Sequence, residues 1–396
     1  MRKEIVYVVC LLLYILFNLT QIFVHTIPIV QRHVIAYILL AFGVYYCHIS
    51  VRRMYNWGTS CICLFLYLLV YEIMNKKISF FDTLEFFFIT NIVTTIFIRN
   101  RIKVDKKLLF IGIAFYLLNI IISLYEYKLK NNFFYHDMNP DANILTYARF
   151  RSTGIWGHPL YSSLIHGCSM ILILMSNLNK KYKLILWFLG FFTIFLYDAR
   201  ASSLGVIVCS LAYLKNKKLI KRKYFIYIIA ILIFFGAALS FLSSSEIGGK
   251  LFDSSTKKFN DAGSNARLVA FDILFDLKFK SLILGVQNQF EYAQRYYNVI
   301  CAENSFVSMV LIMGFPVAML FFYLQIKNLN RIMIFENYKI RIIFFSFIVI
   351  SGLFNQALTN PYIWITIFIL YILFCSNSKT HHYEKRNRDH NISRVS

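Results

Sequence analysis

Hydrophobic positions along this chain fall into long unbroken runs rather than into the alternation of a half-buried strand or the one-sided stripe of a surface helix. Runs approaching 18 apolar residues indicate helices that cross a bilayer. The pattern predicts about twelve of them, at 4–24, 33–50, 58–74, 80–98, 108–126, 158–176, 183–198, 200–214, 224–243, 303–326, 340–356 and 361–375. Most connections are brief. Two are long, at 127–157 and 244–302, and a basic tail occupies 377–396. The expected architecture is therefore an all-α polytopic membrane protein with a single membrane domain over 1–376 and one large loop, 244–302, on the extracytoplasmic side.

One interruption decides how the spans are counted. IFLYDARASSLGV (194–206) places Asp198 and Arg200 between two apolar runs with almost no loop around them. A single helix over 184–214 would be about 46 Å long at 1.5 Å per residue, well beyond a hydrocarbon core of roughly 30 Å. It would also move KNKKLIKRK (215–223) to the outer side, against the tendency of Lys and Arg to remain cytoplasmic in short loops. Two short helices joined by a tight outward-facing turn satisfy both constraints. With that turn in place, Arg2 and Lys3, Arg52 and Arg53, the cluster Arg99–Lys107, Lys180–Lys183, Lys215–Lys223, Lys327–Arg341 and the basic tail all fall on one side. Both termini are expected in the cytoplasm and both long loops outside.

Composition agrees with this reading. The chain of 396 residues is 58% hydrophobic and only 15% charged, with a mean hydropathy of +0.58. Soluble domains carry about 25% charged residues. A net charge of +23 would suit nucleic acid if it were spread over a soluble domain, but here it is concentrated in the short cytoplasmic loops. Nucleic acid is therefore not an expected partner. The start MRK followed by an apolar run lacks a small-residue cleavage site, so the first span is expected to be retained. The eight cysteines lie mostly in apolar runs and form no disulfide framework. Only Cys301 is expected in an aqueous loop.

The candidate chemistry lies on the outer side. Arg149 and Arg151 stand in YARFRSTGIWGHPLYSS, Arg200 in the turn, Arg267 in SNARLVAFDILF, and Arg295 and Arg32 in other outer segments. Guanidinium groups bind phosphate oxygens in pairs and keep their charge, so such a cluster near a bilayer surface suits a lipid diphosphate. Arg151, Arg200 and Arg267 are the expected phosphate ligands. Arg32, Arg149 and Arg295 are expected to pair locally or to reach lipid headgroups, and Asp198 to partner Arg200. Glu303 and Asn304 stand where the large loop meets the next span. Glu303 could take a proton from a sugar hydroxyl or serve the helix dipole; Asn304 could position that hydroxyl or simply cap the helix. His158 is a possible sugar contact or a structural residue at its helix start, and Trp156 is expected in the interfacial aromatic belt. Glu72 and Glu85 are candidate carboxylates within the membrane. No phosphate-binding loop, dinucleotide fingerprint or zinc motif is present in the sequence. No paired-aspartate signature of a metal-bound nucleotide sugar is present either, which favours a lipid-linked sugar donor.

Four pieces in order resemble the superfamily of bacterial O-antigen ligases and polymerases. These are R-x-x-G-x-x-x-H-P (Arg151 to Pro159), the outer turn from Asp198 to Gly205, Arg267 followed by LILGVQNQF (Leu282 to Phe290), and E-N-S leading to a Gly-x-Pro region (Glu303 to Pro316). The resemblance spans about 145–326. It implies a glycosyltransferase C-type-like membrane fold, catalysis without a metal or other cofactor, and a donor carried on undecaprenyl diphosphate. Ligases of that family carry a His-Asn pair where this chain has Glu303-Asn304, which tilts the resemblance toward the polymerase branch.

The expectation is then an enzyme of the cytoplasmic (inner) membrane, joining lipid-linked oligosaccharide repeat units into an O-antigen or capsule on the extracytoplasmic face. Glu303 and Asn304 would be catalytic, and Arg151, Arg200 and Arg267 would hold the lipid diphosphate. A chain-length regulator is a possible partner. Two rivals remain open: a ligase that moves finished polysaccharide to a lipid or wall acceptor, and a flippase or other transporter.

Overall fold

The computed structural model describes residues 56–74, 85–99, 106–133, 150–197, 199–216, 262–299, 301–334 and 336–375, with isolated helical positions at 34, 37, 38, 41 and 45. Among the described residues the protein is helical throughout, with no strand. In chain order the helices are α1 (Trp57–Ile73), α2 (Thr90–Arg99, preceded by a π-helical turn Glu85–Ile89), α3 (Lys106–Leu129) and α4 (Pro159–Met175). There follow α5 (Lys180–Leu196), α6 (Arg200–Asn216), α7 (Ala262–Asp276), α8 (Phe279–Leu284), α9 (Gln289–Tyr297) and α10 (Ser305–Met313). The last three are α11 (Phe315–Ile332), α12 (Tyr338–Leu353) and α13 (Pro361–Cys375). The expected spans 4–24 and 224–243, the tail, Arg32, Arg149 and Asp198 lie outside the described residues, as does most of the loop between α3 and Phe150.

The sequence explains where these helices begin. Asn179, Asn288, Asn304 and Asn337 each immediately precede a helix, and each accepts backbone N–H groups of its first turn, satisfying donors that the helix itself leaves over. Pro159 and Pro361 occupy first helical positions, where proline's missing N–H costs nothing. Inside the apolar helices, hydroxyls bond back to the preceding turn: Ser123 to the Asn119 carbonyl, Ser169 to Ile165, and Thr366 to Tyr362. A polar side chain in an apolar setting is thereby satisfied within its own helix.

All of α13 is buried, and so is nearly all of α4. A helix apolar around its whole circumference belongs at the centre. Accordingly α4 packs against α5, α6, α12 and α13, while α13 also meets α2 and α3. Trp364, Phe344, Phe347 and Phe368 fill the space between them. The outer helices turn apolar side chains outward as well, including Ile62 and Phe65 of α1, Phe110 and Ile121 of α3, and Leu204 of α6. By length and composition one described helix, α3 over Leu108–Leu129, is long and apolar enough to cross a membrane; other apolar helices have 10–17 residues.

Two junctions position the site. As expected, two helices stand where one apolar stretch could have run on: α5 ends at Leu196 and α6 begins at Arg200, with the Ala199 carbonyl accepting from Ser203 N–H and Oγ. The expected single span 303–326 is instead two helices, α10 and α11, divided at Gly314 (φ +78°). The division has a physical cause. The end of α8 is docked into it: Val286 N–H donates to the Leu311 carbonyl at 2.7 Å. A Cβ at Gly314 would fall on the Ile283 carbonyl, and one at Gly285 would lie 2.7 Å from the Leu311 oxygen. Pro316 follows, in the first turn of α11, where it cannot break a helix that is only beginning. Beyond the expected end at 326, α11 continues to Ile332. Around that point Gln325 Nε2 donates to the Phe86 carbonyl, and the buried Asn328 amide bonds Asn56 and Asn91.

Candidate functional site

The site is assembled where several helix ends meet. Its first half is the turn Arg151–Gly157, held by a carboxylate at the end of α3. Glu126 is fully buried and accepts five hydrogen bonds. Oε2 receives Ser152 Oγ (2.6 Å), Thr153 N–H (2.7 Å) and Gly154 N–H (2.8 Å), while Oε1 receives Thr153 Oγ1 (2.9 Å) and Phe133 N–H (3.0 Å). One turn and two turns further down α3, Ser123 and Asn119 bond the Tyr197 hydroxyl at 2.8 Å each. Asn119 also accepts Ile155 N–H (3.1 Å) and contacts His166 Nδ1 (3.3 Å). Gly154 has φ +54°, and a Cβ there would lie 2.5 Å from the Asn119 amide oxygen. The whole turn therefore rests on a satisfied buried polar network, which fixes geometry because any missing partner is costly.

The same network joins the Arg151 turn to the Arg200 turn. Ser152 N–H donates to the Leu196 carbonyl at 3.0 Å, and Ser163 Oγ donates to Ser202 Oγ at 3.1 Å. The start of α4, the end of α5 and the start of α6 thus share one end of the bundle. The Arg200 backbone opens α6 there; its side chain, like Asp198, lies outside the described residues.

The second half comes from α7 and α10, which pack together. Arg267 Nε lies 3.0 Å from Glu303 Oε2, with the two side chains 23% and 19% exposed. The approach is an ion pair without the alignment of a hydrogen bond. Asn304 is the N-cap of α10: its Oδ1 accepts Phe306 N–H (2.9 Å) and Val307 N–H (3.1 Å), while its Nδ2 is buried without a partner among the described residues. The capping role expected as one alternative for Asn304 is therefore occupied. Next to the cap, Ser305 Oγ donates to the Asn355 carbonyl (2.6 Å) and accepts Leu358 N–H (3.1 Å). This ties α10 to the α12–α13 connection.

Tyr161 links the two halves. Its ring lies 4.9 Å from that of His158. Its hydroxyl bonds Asn360, and it is within electrostatic reach of Cys301. Arg151 is within electrostatic reach of His158, and Cys301 of Glu303. His158 caps α4, its Nδ1 accepting Leu160 N–H at 3.2 Å. Burial, reinforced by the charge of Glu303, pushes the Cys301 thiol up to about 12, so it is no thiolate nucleophile at neutral pH.

Arg151, His158, Arg267, Glu303, Asn304 and the backbone of Arg200 thus gather at one end of the bundle. Trp156 differs from expectation: it is buried against Phe115 (5.8 Å) rather than placed in an interfacial belt. Arg295 is exposed beside the Tyr296 ring (5.8 Å), and Glu72 is exposed near the end of α1. Glu126, Asn119, Tyr161 and Asn360 belong to the site or its support and are missed by motif reading. The one signal for Glu126 is a carboxylate closing an otherwise apolar run. Among the described residues no group of three or more His, Cys, Asp or Glu is arranged to hold a metal ion. Chemically, the arrangement pairs fixed positive charge with a carboxylate that is accessible but engaged.

No protein-family model matches this chain, and no curated protein matches it either.

Proposed function

We propose that this protein is a multi-pass membrane glycosyltransferase of C-type-like architecture. It polymerises undecaprenyl-diphosphate-linked oligosaccharide repeat units into a surface polysaccharide on the outer face of the cytoplasmic membrane. About twelve spans, both termini inside and the large loop outside belong to the same proposal. The observation that carries it is the convergence at one bundle end of Arg151, the first turn of α6 with Arg200, and the Arg267–Glu303 pair. Cations gathered beside a carboxylate suit a donor with a diphosphate leaving group and an acceptor that must lose a proton. The outward apolar faces of α1, α3 and α6 support a lipid setting.

In this reaction a hydroxyl oxygen of one lipid-linked repeat unit attacks the anomeric carbon of the growing chain. The new glycosidic C–O bond forms as the C–O bond to the lipid diphosphate breaks. The diphosphate leaves with the electron pair, and the hydroxyl proton passes to Glu303. Arg151, Arg200 and Arg267 stabilise the charge that develops on the leaving group, in a site where low dielectric strengthens each contact. His158 contacts a sugar from the α4 cap.

Arg200→Lys tests the phosphate role, because lysine keeps the charge and loses the planar fork. With membrane levels matched to wild type, long polysaccharide chains should fall at least about ten-fold on a gel of surface polymer, the loss expected for one charge-assisted contact. Undiminished polymerisation would sink the clamp. A normal polymer that fails to reach its final acceptor would mark the protein as a ligase instead.

A further inference from the structure

We propose that the Arg267–Glu303 pair is a latch that holds the site inactive until donor arrives. In the empty protein Arg267 holds Glu303, and donor diphosphate releases it by drawing the guanidinium away. This inference rests on the glycosyltransferase reading and adds an order of events to it.

The geometry has three features that a purely structural ion pair would lack. First, the contact is singular: the Arg267 and Glu303 side chains make no other hydrogen bond or ion pair among the described residues. A structural carboxylate in this same protein, Glu126, is enclosed by five donors. Second, the pair is only loosely made. The Nε–H is not aligned on the oxygen, although the atoms are 3.0 Å apart. The two contacting atoms are buried, but both side chains keep about a fifth of their surface open, so an incoming anion meets the exposed part of the arginine first. Third, α7, which carries Arg267, and the start of α10, which follows Glu303, are held independently of the pair. The α8 segment that follows α7 is docked into the α10–α11 junction through Val286 and Leu311. The Ser305 bonds to Asn355 and Leu358 anchor the start of α10. Breaking the pair therefore leaves the framework standing.

A diphosphate competes well for Arg267 because it offers more charge and paired oxygens to the guanidinium fork. A carboxylate bound to a guanidinium is a poor proton acceptor; once released, it can accept the proton of an acceptor hydroxyl. Donor thus enables the base, and acceptor chemistry waits for donor. Without donor, no base is free to activate water or a stray hydroxyl.

The test is diphosphate binding, measured without turnover. Inorganic pyrophosphate is titrated calorimetrically into the full-length protein in lipid nanodiscs, for wild type, Glu303→Gln, Arg267→Gln and the double variant. Glu303→Gln should bind about three- to five-fold more tightly than wild type, because Arg267 no longer has to leave a partner. In the Arg267→Gln background the same substitution should change binding by less than about 1.5-fold, since the gain runs through the arginine. Equal binding by wild type and Glu303→Gln overturns the latch and leaves the phosphate clamp intact. An equal gain in both backgrounds also overturns it, because simple charge repulsion would then explain the effect. No pyrophosphate binding by any of the four proteins removes the clamp and the latch together. Thermal unfolding of each variant confirms a folded protein, and Glu303→Asp, which keeps the charge but shortens the reach, should give an intermediate gain.

Discussion

The protein contains two exposures of the same chemical group to opposite fates. Glu126 is sealed under the Arg151 turn with five donors around it. Glu303, in the other half of the site, has one cationic partner and a side chain that is 19% exposed. A buried carboxylate saturated with donors behaves as part of the scaffold, because its removal orphans every donor at once. A half-open carboxylate with one partner can change partners. The contrast teaches that proximity to the site does not tell a scaffold acid from one able to exchange partners: the number and kind of partners does. It assigns Glu126 to holding the Arg151 turn and leaves Glu303 as the acid that the proposed reaction would use.

The most direct way to break this comparison is to change both acids identically. Glu126→Gln places an amide NH2 against either Ser152, Thr153 and Gly154 or Phe133 and Thr153, donor against donor. It should cost about 3 kcal/mol of stability, visible as a large drop in melting temperature of the purified protein. Glu303→Gln should cost less than about 1 kcal/mol while abolishing polymerisation and leaving single capped repeat units. Equal stability losses for the two variants would erase the distinction.

The second prediction concerns how the Glu303 half is held. Gly314→Ala demands a positive φ from a residue that resists it and drives a methyl group into the Ile283 carbonyl. It should destabilise the protein by about 2 kcal/mol and free the α8 segment from the junction. Accelerated amide hydrogen exchange at Val286, with no acceleration at Thr153 or Gly154, would show that the two halves are supported separately. Acceleration at both would show one cooperative unit.

How far these features were legible in the sequence follows from their physics. Apolar runs report burial in lipid or core, so helices such as Pro361–Cys375 and the break before Arg200 are readable directly. The lysine-rich 215–223 segment makes the break necessary without any knowledge of contacts. The division at Gly314 is not legible within 303–326. Hydrophobicity is continuous across it, and its cause is backbone from Ile283–Val286, some thirty positions away. The place of Trp156 is not legible because an amphipathic ring suits both an interface and a core, and only the packing against Phe115 decides. For the site, Arg151, Arg267 and Glu303 stand out as charges in unusual places. That Arg267 meets Glu303 is long-range information that no local spacing carries. Glu126 does not stand out in the sequence because its partners lie in Phe133 and Ser152–Gly154, and a lone acid at the end of an apolar run looks like an ordinary helix terminus.

The smallest expected effect reads the open side of the comparison through a neighbour. Cys301 lies beside Glu303, and burial together with that negative charge raises its thiol to about 12. At pH 8 almost none of it is thiolate, so alkylation by iodoacetamide should be far slower than for an exposed cysteine. Because the Glu303 charge acts in the raising direction, Glu303→Gln should lower the thiol's pKa and speed its alkylation at pH 8, by about two- to five-fold. Burial remains the larger cause, so the variant should still fall short of an exposed thiol. If diphosphate draws Arg267 away from Glu303, the carboxylate's charge is less neutralised. Saturating pyrophosphate should then slow alkylation in wild type and leave Glu303→Gln unaffected by that route. Protection of both proteins to the same extent would mean that pyrophosphate merely covers the cysteine, and Cys301 would then report access rather than the charge on Glu303.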